Sequence, residues 1–91
     1  MPKVTIKFFQ DIRELAGISS TEIEIDSPKF LKDILNEISN KYQKLNDVFK
    51  NIEGENRSVI ILVNGRMPTP LSSTIIKGGE EISILPVVEG G

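Results

Sequence analysis

The residues best placed to do chemistry stand at the end of the chain, Val87-Val88-Glu89-Gly90-Gly91. Glycine has no side chain, so two in succession let a main chain enter a channel too narrow for any Cβ. They also leave the Gly91 carboxylate unhindered. A carboxylate resists attack until it is made an acyl-phosphate or acyl-adenylate. An adenylate made from ATP by another enzyme could then lose AMP to sulfide or persulfide, leaving a thiocarboxylate. Two terminal glycines are also what an idle, frayed terminus looks like. Here they follow Pro86, which ends the last strand pattern, and the five residues after it carry no turn signal, no cap and too little apolar area to fold back firmly.

The rest of the composition offers little competing chemistry. There is no Cys, hence no disulfide, no thiolate nucleophile and no zinc–sulfur site. There is no His, so the usual general base near neutral pH and the commonest transition-metal ligand are missing. Asp11, Glu14, Glu80 and Glu81 suit cap and turn roles better than a metal cluster. No glycine-rich loop joins a strand to a helix, so any ATP must be bound by a partner. We expect no cofactor and no metal on this chain, which would lend a group to another protein's active site.

Charge and length narrow the partners. Thirteen acids against eleven bases give a net charge of −2, which argues against nucleic acid or an anionic membrane. The longest apolar run, Val59 to Val63, is too short to span a bilayer. Met-Pro-Lys-Val-Thr at the start lacks the apolar core of a signal peptide, so a cytoplasmic protein is expected. A length of 91 residues suits one domain with one modest core.

The elements that must position the tail follow from periodicity. Lys3 to Phe8 alternates polar and apolar, a half-buried strand with Val4, Ile6 and Phe8 on one face and Phe9 on the other. Asp11 to Gly17 reads as a short helix stopped by glycine. Thr21 to Asp26 alternates again and hairpin-pairs with the first strand. Ser27-Pro28 reads as N-cap and first position of the main helix, whose apolar stripe is Leu31, Ile34, Leu35, Ile38 and Tyr42. Leu45, Val48, Phe49 and Ile52 suggest a second, shorter helix ended by Gly54.

Arg57 to Val63 is apolar on both faces from Val59 onward and reads as a covered or central strand. Asn64-Gly65 marks a tight turn. Pro68 and Pro70 make the next segment irregular or an edge, with Leu71, Ile75 and Ile76 able to pack inward. Gly78-Gly79 turns the chain into a last strand, Glu81 to Leu85.

Strand, strand, helix, strand, weak strand, strand is the order of an α+β β-grasp, or ubiquitin-like, fold: a mixed sheet with one main helix and short extra helices on one face. A ferredoxin-like sandwich would need a second full-length helix that the Pro-rich stretch cannot supply. The expected division is a β-grasp domain over 1–86 and a flexible tail over 87–91.

In such a sheet the first and last strands lie side by side. If Ile82 and Ile84 face the core, Ser83 and Leu85 face out, as does Phe9. Phe9 and Leu85, extended by Ile60 or Leu62 and bordered by Met67, form a candidate partner-docking patch near the root of the tail.

The sequence also resembles the MoaD/ThiS sulfur-carrier family. The similarity is carried by Val4-Thr5-Ile6-Lys7-Phe8-Phe9 with Arg13-Glu14-Leu15-Ala16-Gly17 at the start. It continues in Val63-Asn64-Gly65, Leu71 and Gly78-Gly79-Glu80-Glu81-Ile82-Ser83-Ile84-Leu85-Pro86, and ends in the Val87 to Gly91 tail. It covers nearly the whole chain. The resemblance implies a small, MoaD-like subunit of molybdopterin synthase, which carries sulfur and has no self-contained active site. Its Gly91 would be adenylated and thiocarboxylated by a ubiquitin-activating-type adenylyltransferase that binds the ATP. Its tail would enter a MoaE-like large subunit in a heterotetramer and give sulfur to a pterin precursor of the molybdenum or tungsten cofactor. The segment Leu45 to Ile52 favours this branch over the thiamin carriers. Carriers for tRNA thiolation and archaeal protein modifiers also end in Gly-Gly, so those roles stay open.

Overall fold

A computed structural model describes residues 2–50, 52 and 59–87. The elements run β1 (Lys3–Phe8), α1 (Gln10–Ala16), β2 (Ser20–Glu24), β3 (Lys29–Phe30), α2 (Leu31–Lys41), β4 (Val59–Val63), β5 (Ile75–Ile76) and β6 (Glu81–Pro86), with 3-10 turns at Gln43–Leu45 and Leu71–Ser73. The main sheet has the order β2-β1-β6-β4. β1 and β6 are parallel neighbours at its centre, while β2 and β4 pair antiparallel at its edges.

Alternation decides which face is covered. Val4, Ile6 and Phe8 of β1 and Ile82 and Ile84 of β6 are buried together with Leu31, Ile34, Leu35 and Ile38 of α2. These helical positions recur at three and four residues, so α2 turns one stripe onto the sheet. Phe8 meets Tyr42 edge to face, ring centroids 5.6 Å apart. The first strand, the hairpin, the side-by-side placement of first and last strands and the helix stripe are all as the sequence indicates. The outcome is a β-grasp.

Three local expectations change. Ser27-Pro28 does not open the helix. Lys29–Phe30 instead forms a two-residue strand against Ile75–Ile76, and Phe30 is the N-cap without a side-chain bond. The Leu31 N–H donates to the Thr74 carbonyl at 2.8 Å, so a neighbouring loop satisfies an orphan donor that a Ser cap would otherwise take. The pairing also turns Ile75 outward, opposite exposed Phe30, while Ile76 is buried.

The stretch after Tyr42 is not a regular helix. Its bonds are mostly of the i to i+3 kind, such as Val48 N–H to Leu45 O at 3.0 Å. Asn46 and Asp47 are weak helix formers, and one turn already brings Leu45 into the core, with Val48, Phe49 and Ile52 packed against it. The expected Gly54 stop and the start of the strand at Arg57 lie outside the described residues.

β4 is an edge strand rather than a central one. Val59 and Ile61 are buried, but Ile60 and Leu62 on the other face are only half covered. Their apolarity therefore belongs to the outer surface of the sheet.

The turns are as their residues indicate. Asn64 and Gly65 both have positive φ, 52° and 81°, the backbone of a type I′ turn. The Val63 N–H donates to Arg66 O at 2.8 Å and the Arg66 N–H to Val63 O at 3.1 Å, closing it. Gly17 stops α1 in the left-handed region at φ 79°, its N–H on Arg13 O.

Candidate functional site

Pro86 leaves β6 opposite Val59, so the tail departs at one corner of the sheet, beside the start of β4. Val87 is the last described residue and is half-buried. Val88, Glu89, Gly90 and Gly91 lie outside the described residues.

The register places the docking residues. Phe8 lies beside Ile84, and the Phe9 N–H donates to Ile84 O at 3.1 Å, so the parallel pairing carries one step on to Phe9 beside Leu85. Leu85 lies opposite Ile60 on β4. Phe9, Leu85 and Ile60 thus come together on the outer face at the tail's end of the sheet. Phe9 is 38 % exposed, whereas its neighbour Phe8 is 2 % exposed, which separates the two faces of β1. Leu62 stands one row further from the tail, opposite Ser83. Met67 is 51 % exposed and lines, with Ile60, Pro68, Pro70 and Leu71, a cleft of about 330 Å³ beside β4.

Away from the tail the same face becomes charged. Lys7 pairs with Glu81 at 3.2 Å and Lys3 with Glu22 at 3.9 Å, all with exposed side chains. Such pairs stabilise by well under about 1 kcal/mol and serve mainly to keep that half of the face wet. On the far side of the molecule Lys29 donates to Glu37 at 2.7 Å. That bond, with the Glu37 charge, raises the Lys29 pKa above its ordinary value.

The acidic residues hold turns. Glu80 accepts the N–H groups of Lys77 at 2.8 Å and Gly78 at 2.6 Å, and Asp11 sits in the first turn of α1. Among the described residues no three His, Cys, Asp or Glu side chains converge on a metal position, and no helix is long and apolar enough to cross a membrane.

The fold is a β-grasp with Phe9, Leu85 and Ile60 forming an apolar patch at the end of the sheet from which the tail departs. The chain belongs to the ThiS family, whose model matches residues 6–91. It is 32 % identical to the molybdopterin synthase sulfur carrier subunit of Anopheles gambiae, across 98 % of this chain and 92 % of that protein. Among solved structures it is similar to a Pyrococcus furiosus protein assigned as subunit 1 of a molybdopterin converting factor. There the TM-score is 0.83 at 31 % identity, covering 97 % of this chain and 100 % of the other. It is also similar to small archaeal modifier protein 1 of Methanosarcina acetivorans, TM-score 0.75 and 30 % identity over 100 % and 98 % of the two chains. A chain in the Helicobacter pylori complex of subunits 1 and 2 of molybdopterin-converting factor matches at TM-score 0.62 and 25 % identity, over 98 % and 99 %.

Proposed function

We propose that this protein is the sulfur-carrying small subunit of a molybdopterin synthase. The observation that carries the reading is the end-to-end similarity to a synthase sulfur carrier, on a chain that terminates in Gly90-Gly91. A partner adenylyltransferase binds ATP and joins the Gly91 carboxylate to AMP, releasing pyrophosphate. Sulfide then attacks the acyl carbon, the acyl–phosphate bond breaks and AMP leaves, so the C-terminus becomes a thiocarboxylate. The large synthase subunit receives the tail, and the sulfur passes to the pterin precursor. This chain supplies the acyl group and the docking surface; the catalytic side chains belong to its partners.

The mass of the protein purified from its native cell tests the proposal. Exchange of one carboxylate oxygen for sulfur adds ~16 Da, and loss of that increment on deleting Gly91 assigns it to the terminus. A C-terminus that never gains it in cells making the cofactor defeats the carrier reading.

A second reading is favoured by the full-length similarity to the Methanosarcina acetivorans modifier. In it Gly91 is joined to lysines of other proteins. Tryptic remnants ending in Gly90-Gly91 on target lysines identify that use.

A further inference from the structure

Ile18 is an exposed, large apolar residue, 42 % accessible, that the docking patch described so far does not include. Its place follows from the hairpin register. Lys7 pairs with Ser20, the first residue of β2, and the Phe8 N–H donates to Ser19 O at 2.9 Å; Ile18 stands in the bend just before, and the same register continued one step sets it across from Phe9. The connection between them, α1, begins after Phe9 and ends at Gly17, leaving both residues at the close of the hairpin. Leu85 and Ile60 are paired in the sheet, and the β1–β6 and β1–β2 registers, each continued past its last pair, bring Phe9 and Ile18 into line with them. The row, two strand residues and two just outside the ends of β1 and β2, holds no charged or hydroxyl side chain. Strands lie about 4.8 Å apart, so it is roughly 14 Å long. The next row, Ser20, Lys7, Ser83 and Leu62, is mostly polar.

We propose that Ile18 is the outer anchor of this row, and that the row seats an apolar ridge of the subunit that receives the tail, running across the strands. The proposal rests on the carrier reading above. The occupant follows from reach. Val88 to Gly91 follow Val87 in the sequence, and an extended chain of four spans at most about 14 Å. A protein that holds the Gly91 carboxylate in a channel therefore has its surface against the tail's end of the sheet, where the row begins at Ile60 and Leu85. The apolar surface continues from there through Phe9 to Ile18, in the direction the partner must extend if it is to cover the patch. The ridge fits side chains such as Leu, Met or Phe, with polar groups on the side that meets Lys7 and Ser20.

The test is calorimetric titration of the full chain into the purified large subunit, with thermal melts of each variant. Ile18→Asp is expected to lower affinity at least tenfold, because a carboxylate in an apolar contact loses its water without gaining a partner. Ile18→Ser, which introduces no charge, should lower it less, and Ser20→Asp in the neighbouring row should stay within about threefold of the parent. All three should melt with the parent. Loss of binding by Leu85→Asp with parental binding by Ile18→Asp and Ile18→Ser would show that the row ends at Phe9, and would overturn the proposal. Parental binding by all of these variants would overturn it together with the docking patch. If Ile18→Asp weakens only the adenylyltransferase complex, the occupant is wrongly assigned. Failure of the carrier reading itself is seen separately, as a terminus that gains no sulfur mass.

Discussion

Asn64 and Glu81 hold each other twice. The Asn64 N–H donates to the Glu81 carbonyl at 2.8 Å, and the Glu81 N–H donates to Asn64 Oδ1 at 2.9 Å. The side-chain amide takes the place of a backbone carbonyl that has turned away, because Asn64 has entered the left-handed region. Asn tolerates that backbone better than other residues with a Cβ. One side chain thus makes the turn possible and closes the last rung between β4 and β6, the pair that carries Ile60 and Leu85.

Asn64→Ala should therefore lose stability twice over, through the missing acceptor and through a left-handed Ala, about 1–3 kcal/mol in all. Asn64→Gly relieves the backbone and loses only the bond, so its cost should be smaller. Urea unfolding of both variants checks the order. Equal stabilities would mean that the hydrogen bond, and not the backbone, dominates.

Gly78 and Gly79 both have positive φ, 125° and 86°, but differ in what surrounds them. A Cβ on Gly78 would stand 2.5 Å from Pro2 Cβ, while one on Gly79 meets nothing within 4 Å. Gly79→Ala should cost about 1–2 kcal/mol in backbone strain alone. Gly78→Ala should cost more, and part of the excess should return when Pro2 is also replaced by Gly. Pro2 is held by the Ile25 N–H on its carbonyl at 3.1 Å, so the clash is not simply shed by the terminus. If Gly78→Ala is the milder change, the close approach to Pro2 does not govern this turn.

The parts of the fold that were legible in the sequence are those set by local periodicity. Alternation fixed the inner face of β1 as Val4, Ile6 and Phe8, and three-four spacing fixed the buried stripe of α2. The misread parts are those where a distant partner replaces a local signal. Ser27-Pro28 is a sound cap pattern, but the Thr74 carbonyl does the capping from 43 positions away, and the helix begins at Leu31. The apolar run of β4 signals two apolar faces but not which of them the fold leaves open; Ile60 and Leu62 are the half-covered ones, on an edge strand. Phe9 and Leu85 could be placed from strand parity. Ile18 could not, because its alignment with Phe9 depends on how the eight residues between them are folded into α1 and its glycine stop.

The two phenylalanines at the end of β1 give the sharpest test of face assignment. Phe8→Asp puts a carboxylate beside Tyr42 and the Ile84 strand, with no partner for it, and should unfold the domain at room temperature. Phe9→Asp should melt within a few degrees of the parent, yet bind the large subunit at least tenfold more weakly. Circular dichroism melts and calorimetry on both variants decide it. A folded Phe8→Asp protein beside an unfolded Phe9→Asp protein would invert the faces.

The tail can be tested without touching the domain. Among the described residues the buried core ends at Ile84 and Val87 is half-buried, so substitutions at Gly90 should leave the melting temperature unchanged. Gly90→Val nevertheless should block sulfur loading. A β-branched side chain adds width on both sides of Cβ and restricts the backbone where the chain must thread a channel shaped for main chain. Gly90→Ala adds one methyl group and should retain part of the activity, which makes the loss graded with side-chain size rather than all or none. The measurement is the rate of adenylate formation at Gly91 with the purified adenylyltransferase, followed by the rise in mass of about 16 Da once sulfide is supplied. Normal adenylation of Gly90→Val would show that the channel admits side chains, and the paired glycines would then serve something other than fit.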